Sequence, residues 1–429
     1  MRIVAVDEGS VDVEQTAAKQ MGVWHFELSA GVCDGVTRSR LQRLWVHGSA
    51  LALVLAAACS KLAELKDNLR AEAPHERYAR SLERAGLGGT ALARRWRDAA
   101  DGARTSAPLV TLPVRQMGVF ADASPSAPAV RFAARRGERI TATFTIAGDS
   151  STLLFLDLFA AGDSLAAAPR ETLDPLVSAD SGKRHLTYEI PRTGAYILRA
   201  QPELLRGGRY TLLVELGPSL AFPLPHLDSR AIKSFYGANR DGGARRHQGV
   251  DIFAPRGTPV TAAVAGVITN TGVTALGGKV VWLYDDHRRQ ALYYAHLDRQ
   301  LVAPGARVGV GDTLGLVGNT GNARTTPPHL HFGIYRRGEG ALDPLPFIEL
   351  PRRDAPPVLA DTSSLGTVAQ VAIRSARLRA APDDDAPIVT LLPRHAALHV
   401  DAAIGRWYRV RVADDSAERP GFVRAAEVR

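Results

Sequence analysis

Two histidines one residue apart, in "PPHLHFGIY" at residues 327–335, are the first candidates for chemistry. In an extended chain alternate side chains share a face, so His329 and His331 would lie on one side and Leu330 and Phe332 on the other. Imidazole binds metals and transfers protons near neutral pH. Taken alone, the pattern also suits a half-buried strand whose two polar residues face water.

A second candidate is "RRHQGVDIFAP", in which His247 and Asp251 are four residues apart. A helix would place both on one face, as in the H-E-x-x-H zinc peptidases, but Gly249 and the β-branched residues around it disfavour a helix. No Glu follows His247 to act as a base. We therefore expect a loop that enters a strand, with a bend at Gly249 bringing His247 and Asp251 together.

These residues match the needs of a zinc site, which takes three protein ligands, keeps one position open, and favours imidazole with a carboxylate. His247 and Asp251 supply two ligands, and His331 can supply the third if two strands bring the segments together. His329 and His296 of "LYYAHLD" then remain for proton transfer or for stabilising an oxyanion. The sequence predicts one Zn²⁺ per chain.

The ordered set "SFYGANR", "RRHQGVD", "LYYAHLD" and "PPHLHF" resembles the lysostaphin/LytM-type zinc endopeptidases, over residues 227–350. The resemblance implies a β-rich domain that cuts peptide cross-links or stems of peptidoglycan. It also implies metal ligands, which fall on His247, Asp251 and His331, and catalytic histidines, which fall on His296 and His329.

This segment departs from the family pattern in "SFYGANR", which is one residue longer than S-x-F-G-x-R, and in the loop "VTALGG". Both are expected to border the substrate groove, so the preferred bond stays open. Some members of the family lack zinc ligands and activate other wall hydrolases, which makes a non-catalytic wall-binding protein the alternative function. A third possible function is that of an envelope scaffold whose peptidase domain is inactive. The intact ligand set favours the enzyme.

Composition indicates several β-rich domains. A chain of 429 residues exceeds one ordinary core, and 39 Gly and 26 Pro favour strands and turns over long helices. We expect a mainly β, multidomain fold. The net charge of +9 would suit an acidic partner, but no Lys/Arg block with interleaved aromatics occurs, so we expect no nucleic-acid partner.

Two accessory segments precede the metal-binding residues. Residues 60–106 are predicted to form a helical hairpin, with Pro74 in the first turn of one helix and Thr90 capping the next. Residues 107–219 are predicted to form a β-sandwich, because "ERITATFTI" and later segments alternate apolar and polar residues. "GAYILRA" and "GGRYTLLVE" resemble prepeptidase C-terminal-type sandwiches.

Two further segments follow the peptidase-like region. Residues 351–364, "PRRDAPPVLADTSS", are predicted to be a linker. Residues 365–429 resemble the bacterial SH3-like wall-binding barrel through "RLRAAPDDDAPIVTLLP", "GRWYRVRV" and "GFVRAAEV". Trp407 is either a core aromatic of this barrel or a platform for a ligand.

An export signal is predicted within residues 1–59. "RSRLQRLWVHGSALALVLAAACS" joins basic residues to an apolar run that ends in small residues and Cys59. Residues 37–59 resemble a lipoprotein signal, and residues 1–36 are interpreted as an over-extended gene start. A lipid on Cys59 would hold the protein at the outer membrane, facing the periplasm, with secretion as the alternative. Cys33 is the one other cysteine, so no disulfide framework is expected.

Overall fold

The computed structural model describes residues 72–122, 124–147, 151–162, 174–180, 182–349, 354–413 and 420–429. The predicted signal region, Cys59 and the first residues of the predicted hairpin lie outside the described residues. In the described part of the chain, no helix combines the length and the apolar character that a membrane span needs.

Two helices open the described chain, α1 (Pro74–Arg84) and α2 (Ala91–Thr105). Pro74 occupies the first position of α1, where a missing N–H costs nothing. The Thr90 hydroxyl caps α2 by accepting a hydrogen bond from the Ala93 N–H. Trp96 of α2 is buried, and its indole N–H donates to the Pro202 carbonyl at 2.8 Å. This bond anchors the helices to the strands that follow.

A two-sheet sandwich comes next, and its alternating segments bury one face each. Phe144 and Leu212 from one sheet share a core with Phe132 and Leu156 from the other. One sheet has the order β1-β8-β3-β6 and the other β2-β7-β4-β5. The strands are β1 (Val114–Phe120), β2 (Ala129–Ala134), β3 (Glu138–Ile146), β4 (Leu154–Gly162), β5 (Val177–Ser178), β6 (His185–Glu189), β7 (Gly194–Pro202) and β8 (Gly208–Pro218).

The central segment is built on an antiparallel sheet with the order β18-β14-β15-β16-β20-β12-β9, and β21 also pairs with β20. Its elements are β9 (Ile232–Ser234), β10 (Asn239–Arg240), β11 (Arg245–Arg246), β12 (Val250–Phe253), β13 (Pro259–Thr261), β14 (Gly266–Thr274), β15 (Gly278–Asp285), β16 (Gln290–Leu297), β17 (Arg299–Gln300), β18 (Arg307–Val308), β19 (Thr313–Leu316), β20 (His329–Arg336), β21 (Gly340–Leu342) and the short helix α3 (Leu345–Ile348). Leu330 and Phe332 of β20 lie in a second core beneath this sheet. The opposite face of β20 is left for polar side chains.

The C-terminal strands continue the sandwich. They are β22 (Val368–Gln370), β23 (Ser375–Arg379), β24 (Ile388–Pro393), β25 (Ala397–Ile404), β26 (Trp407–Val412) and β27 (Pro420–Arg424). β25 pairs antiparallel with β1, from Gln116 opposite Ile404 to Gly118 opposite Ala402, and one ten-stranded sheet results. Sandwich and C-terminal strands therefore share backbone hydrogen bonds.

Trp407 lies in the same core as the sandwich residues and is only 6% exposed. The Arg424 guanidinium covers its ring at 5.1 Å from the centroid. Trp407 is therefore a core aromatic, and its face is not open to a ligand. The mainly β fold class is confirmed, since strands account for most of the ordered elements and the longer helices are confined to the first described residues.

Candidate metal centre

Three neighbouring strands position the polar face of the central sheet. β20 lies between β12 and β16, and His331 stands opposite Asp251 on one side and Ala295 on the other. Because alternate residues share a face, His329 projects on the same side as His331. Both histidines belong to β20, and the side chains on the other face of that strand are buried.

Three potential ligand atoms converge on this face. His247 Nε2, Asp251 Oδ1 and His331 Nδ1 lie 3.0 Å from one another. His247 and Asp251 are buried, and these three form the one group of metal-ligand type found among the described residues. His247 lies in a loop, and Asp251 lies in the strand that follows the bend at Gly249, as the sequence predicted.

A backbone carbonyl sets the tautomer of one ligand imidazole. His247 Nδ1 is 2.9 Å from the Phe235 carbonyl oxygen, to which it can only donate, so in the neutral ring Nε2 carries the lone pair. Burial raises the pKa of Asp251, but the His247 and His331 rings, which can donate to the carboxylate when protonated, outweigh burial and hold that pKa well below its usual range. Burial lowers the pKa of His331, against the attraction of Asp251. Two imidazoles and a carboxylate form a donor set that fits a divalent metal.

Arg240 holds the second oxygen of the carboxylate. Its Nη2 lies 2.6 Å from Asp251 Oδ2 and 2.6 Å from Ser234 Oγ. With Oδ2 occupied, Oδ1 is left to face the two imidazoles. This role of Arg240 was not predicted, although Arg240 is the last residue of the motif "SFYGANR" and could have been found there.

Gly249 allows the His247 loop to pass close to β20. A Cβ at this position would lie 2.5 Å from the Phe332 carbonyl oxygen and 2.8 Å from His331 Cε1. Those distances are too short for any side chain. The glycine therefore sets the distance between the loop and His331.

His329 and His296 flank the ligand atoms. His329 Nδ1 donates to the Pro327 carbonyl oxygen at 2.9 Å, and its Nε2 lies 4.0 Å from Asp251 Oδ1. The ring centroids of His296 and His329 are 5.0 Å apart. The structure thus brings together all five site residues that the sequence predicted. His287 is exposed in the turn between β15 and β16, away from these residues.

His296 is held in an unusual backbone conformation. Its φ is +62°, in the left-handed region that a non-glycine residue rarely adopts. Its N–H donates to the Gly277 carbonyl at 2.7 Å, and Nδ1 donates to the Thr320 carbonyl at 2.9 Å. Burial, with the like charges of His331 and His329, lowers the pKa of His296 to about 4. The neutral ring therefore keeps a free Nε2 at neutral pH.

Comparison with known proteins places this site in a described family. Residues 245–344 match the family model for Peptidase family M23. The L-Ala--D-Glu endopeptidase of Bacillus subtilis is 36% identical over 147 residues, which are 32% of this chain and 44% of that protein. The peptidoglycan DD-endopeptidase ShyC of Vibrio cholerae is 38% identical over 125 residues, 28% of each chain.

A solved structure is also similar, that of the catalytic domain of the antimicrobial peptidase lysostaphin from Staphylococcus simulans. It shares 35% identity, covers 26% of this chain and 87% of that one, and has a TM-score of 0.25. The chain spans less than half the length of the two curated relatives. The predicted LytM/lysostaphin-type domain is confirmed by the family match, while the SH3-like and prepeptidase-type resemblances stay predictions.

Gly249→Ala should lower the free energy of unfolding by about 1–3 kcal/mol, because the added methyl forces β20 or the His331 ring to move. The amount of metal bound per chain should also be lower in this variant. Gly272→Ala in β14 is the matched control, since the nearest atom to its Cβ is Asn270 Oδ1 at 3.9 Å. Urea unfolding followed by tryptophan fluorescence compares the two variants. Equal stability of Gly249→Ala and wild type would contradict the close approach.

Proposed function

We propose that this chain, whose residues 245–344 match Peptidase family M23, is a zinc metalloendopeptidase that hydrolyses peptide bonds of peptidoglycan cross-links or stems. The observation that carries the proposal is the convergence of His247, Asp251 and His331 beside two further buried histidines. The names of the two curated relatives, both endopeptidases, support the reaction class, and one names peptidoglycan itself.

Metal binding is the first requirement for this reaction. His247 Nε2, Asp251 Oδ1 and His331 Nδ1 are the atoms that would bind it. The chemistry that zinc supplies at such a donor set is Lewis acidity, which activates a water and polarises a peptide carbonyl. Arg240 keeps the carboxylate oriented, and the Phe235 carbonyl keeps the His247 ring in the required tautomer.

His329 and His296 would transfer protons during the reaction. Each donates its Nδ1–H to a backbone carbonyl, so each Nε2 is free to accept a proton. A neutral imidazole here can take a proton from the attacking water, and the protonated ring can donate to the oxyanion or to the departing amine. The strained backbone at His296 fixes its ring for this task.

The two histidines of β20 should respond differently to substitution. His331→Ala removes a ligand, so zinc content and activity should fall together, and thermal stability should fall as well. His329→Ala should keep zinc near one per chain while activity drops by about a hundredfold or more. Metal analysis and zymography on purified peptidoglycan measure both quantities.

His287→Ala is the control for both variants, because His287 is exposed and lies outside the cluster. Loss of zinc in His329→Ala with retention in His331→Ala would reverse the assignment. Wild-type protein that binds zinc and clears no peptidoglycan would instead favour a non-catalytic activator of other hydrolases.

We also propose an envelope location, with a lipid on Cys59 that anchors the chain to the outer membrane. The wall polymer named for one relative and the basic, apolar and small-residue order before Cys59 support it. Labelled palmitate should enter the wild-type protein and not Cys59→Ala. Failure of the wild type to take up the label would refute the anchor and leave secretion.

A further inference from the structure

A cavity of about 670 Å³ lies away from the metal centre, where α2, the sandwich and the C-terminal strands meet. Its volume falls within the range of small-molecule sites, about 300–1,000 Å³. None of the five metal-centre residues lines it. Binding there would require none of the proposed peptidase machinery.

The cavity arises where two paired strands part. Pairing of β1 with β25 ends at Gly118 opposite Ala402, and the register of β25 against β26 shifts between Val400 and Ala402. Asp401 is the extra residue of that irregularity. The lining includes Gly102 of α2 and Val119 of β1. The space is thus enclosed by three parts of the chain.

Two arginines of β26 line the cavity, and only one of them has a partner. Arg411 forms a bidentate ion pair with Asp401, with Nε and Nη2 at 2.8 and 2.9 Å from the carboxylate oxygens. Arg409 is half-buried, and its guanidinium makes no hydrogen bond or ion pair with any described residue. Burial lowers the pKa of Arg409, and the attraction of Tyr210 and Asp401 offsets the lost hydration only in part. Asp401 is already paired with Arg411, and Arg95 and Asp98, which also line the space, carry opposite charges, so the described lining keeps one positive charge in excess.

The walls indicate the size and shape of the ligand. Ala99, Ala127 and Ala402 present methyl groups to the cavity. Tyr210 is an aromatic residue of the lining, but it is only 4% exposed, and its ring packs against Phe120 at 4.6 Å and Phe144 at 5.1 Å. No aromatic face of the lining residues is therefore open to stack a planar ring. Small aliphatic groups fit these walls better than bases or other aromatic ligands.

We propose that the cavity binds a short peptide with small side chains, whose free carboxylate pairs with Arg409. A planar guanidinium matches a carboxylate through two parallel hydrogen bonds. The small walls accept alanine-sized side chains. A phosphate could make the same pair with Arg409, so the test separates the two anions.

Titration calorimetry of the full chain with acetyl-alanyl-alanine, its C-terminal amide and inorganic phosphate tests the proposal. The free acid should bind at least about tenfold more tightly than the amide, because a charge-assisted pair is lost in the amide. Arg409→Gln should weaken acid binding by a similar factor. Arg394 is exposed in the turn between β24 and β25 and does not line the cavity, so Arg394→Gln should leave acid binding unchanged.

A second variant tests the proposal independently, in case Arg409→Gln does not fold. Gly102 lines the cavity, and a Cβ there meets no atom within 4 Å, so Gly102→Leu should place a bulky side chain in the space while favouring the helix. Acid binding should be lost in this variant with α2 intact by circular dichroism. Equal binding of acid and amide, or binding unchanged in Arg409→Gln and Gly102→Leu, overturns the proposal. So does an absence of acid binding at millimolar concentration, and phosphate that binds more tightly than the acid overturns the assignment to a carboxylate.

Discussion

Three ligand atoms with lone pairs lie 3.0 Å from one another in a buried site, and this crowding constrains the whole centre. Such atoms repel one another unless a proton or a cation lies between them. The Phe235 carbonyl holds one imidazole as an acceptor, and Arg240 occupies the far side of the carboxylate. Metal binding would relieve the repulsion and add to folding.

The sheet fixes the relative positions of the ligand atoms. His331 and Asp251 are directly paired across β20 and β12, so their separation is set by backbone hydrogen bonds. The loop bearing His247 reaches the same point because Gly249 has no side chain. His296 is fixed by two bonds to backbone carbonyls of its own, through its N–H and its Nδ1. The metal-ligand residues of two segments and the histidine of a third are thereby held in place by the backbone.

Local patterns predicted much of the centre. Alternation placed His329 and His331 on one face, and the glycine with its β-branched neighbours predicted a bend and a strand in place of a helix at His247. The capping of α2 by Thr90 was also evident from sequence. Each of these features depends on residues close together in the chain, which is why a single sequence reveals them.

Features that depend on distant segments outside the metal-binding motifs were not predicted. The pairing of β25 with β1 joins residues 116–118 to residues 402–404, and no local pattern encodes that partner. The burial of Trp407 in the sandwich core and the cavity beside Arg409 both follow from this pairing. Arg240 belongs to a motif that the sequence shows, but its bond to Asp251 depends on how the chain between β10 and β12 folds.

We propose that the convergent His, Asp and His atoms hold a metal that serves peptide-bond hydrolysis in peptidoglycan. The decisive test is mass spectrometry of fragments released from purified peptidoglycan by protein first stripped with a chelator and then given zinc. Fragments with new peptide amine and carboxyl ends should form only after zinc is restored. Zinc-loaded, folded protein that releases no such fragments, or that cuts only glycosidic bonds, would contradict it.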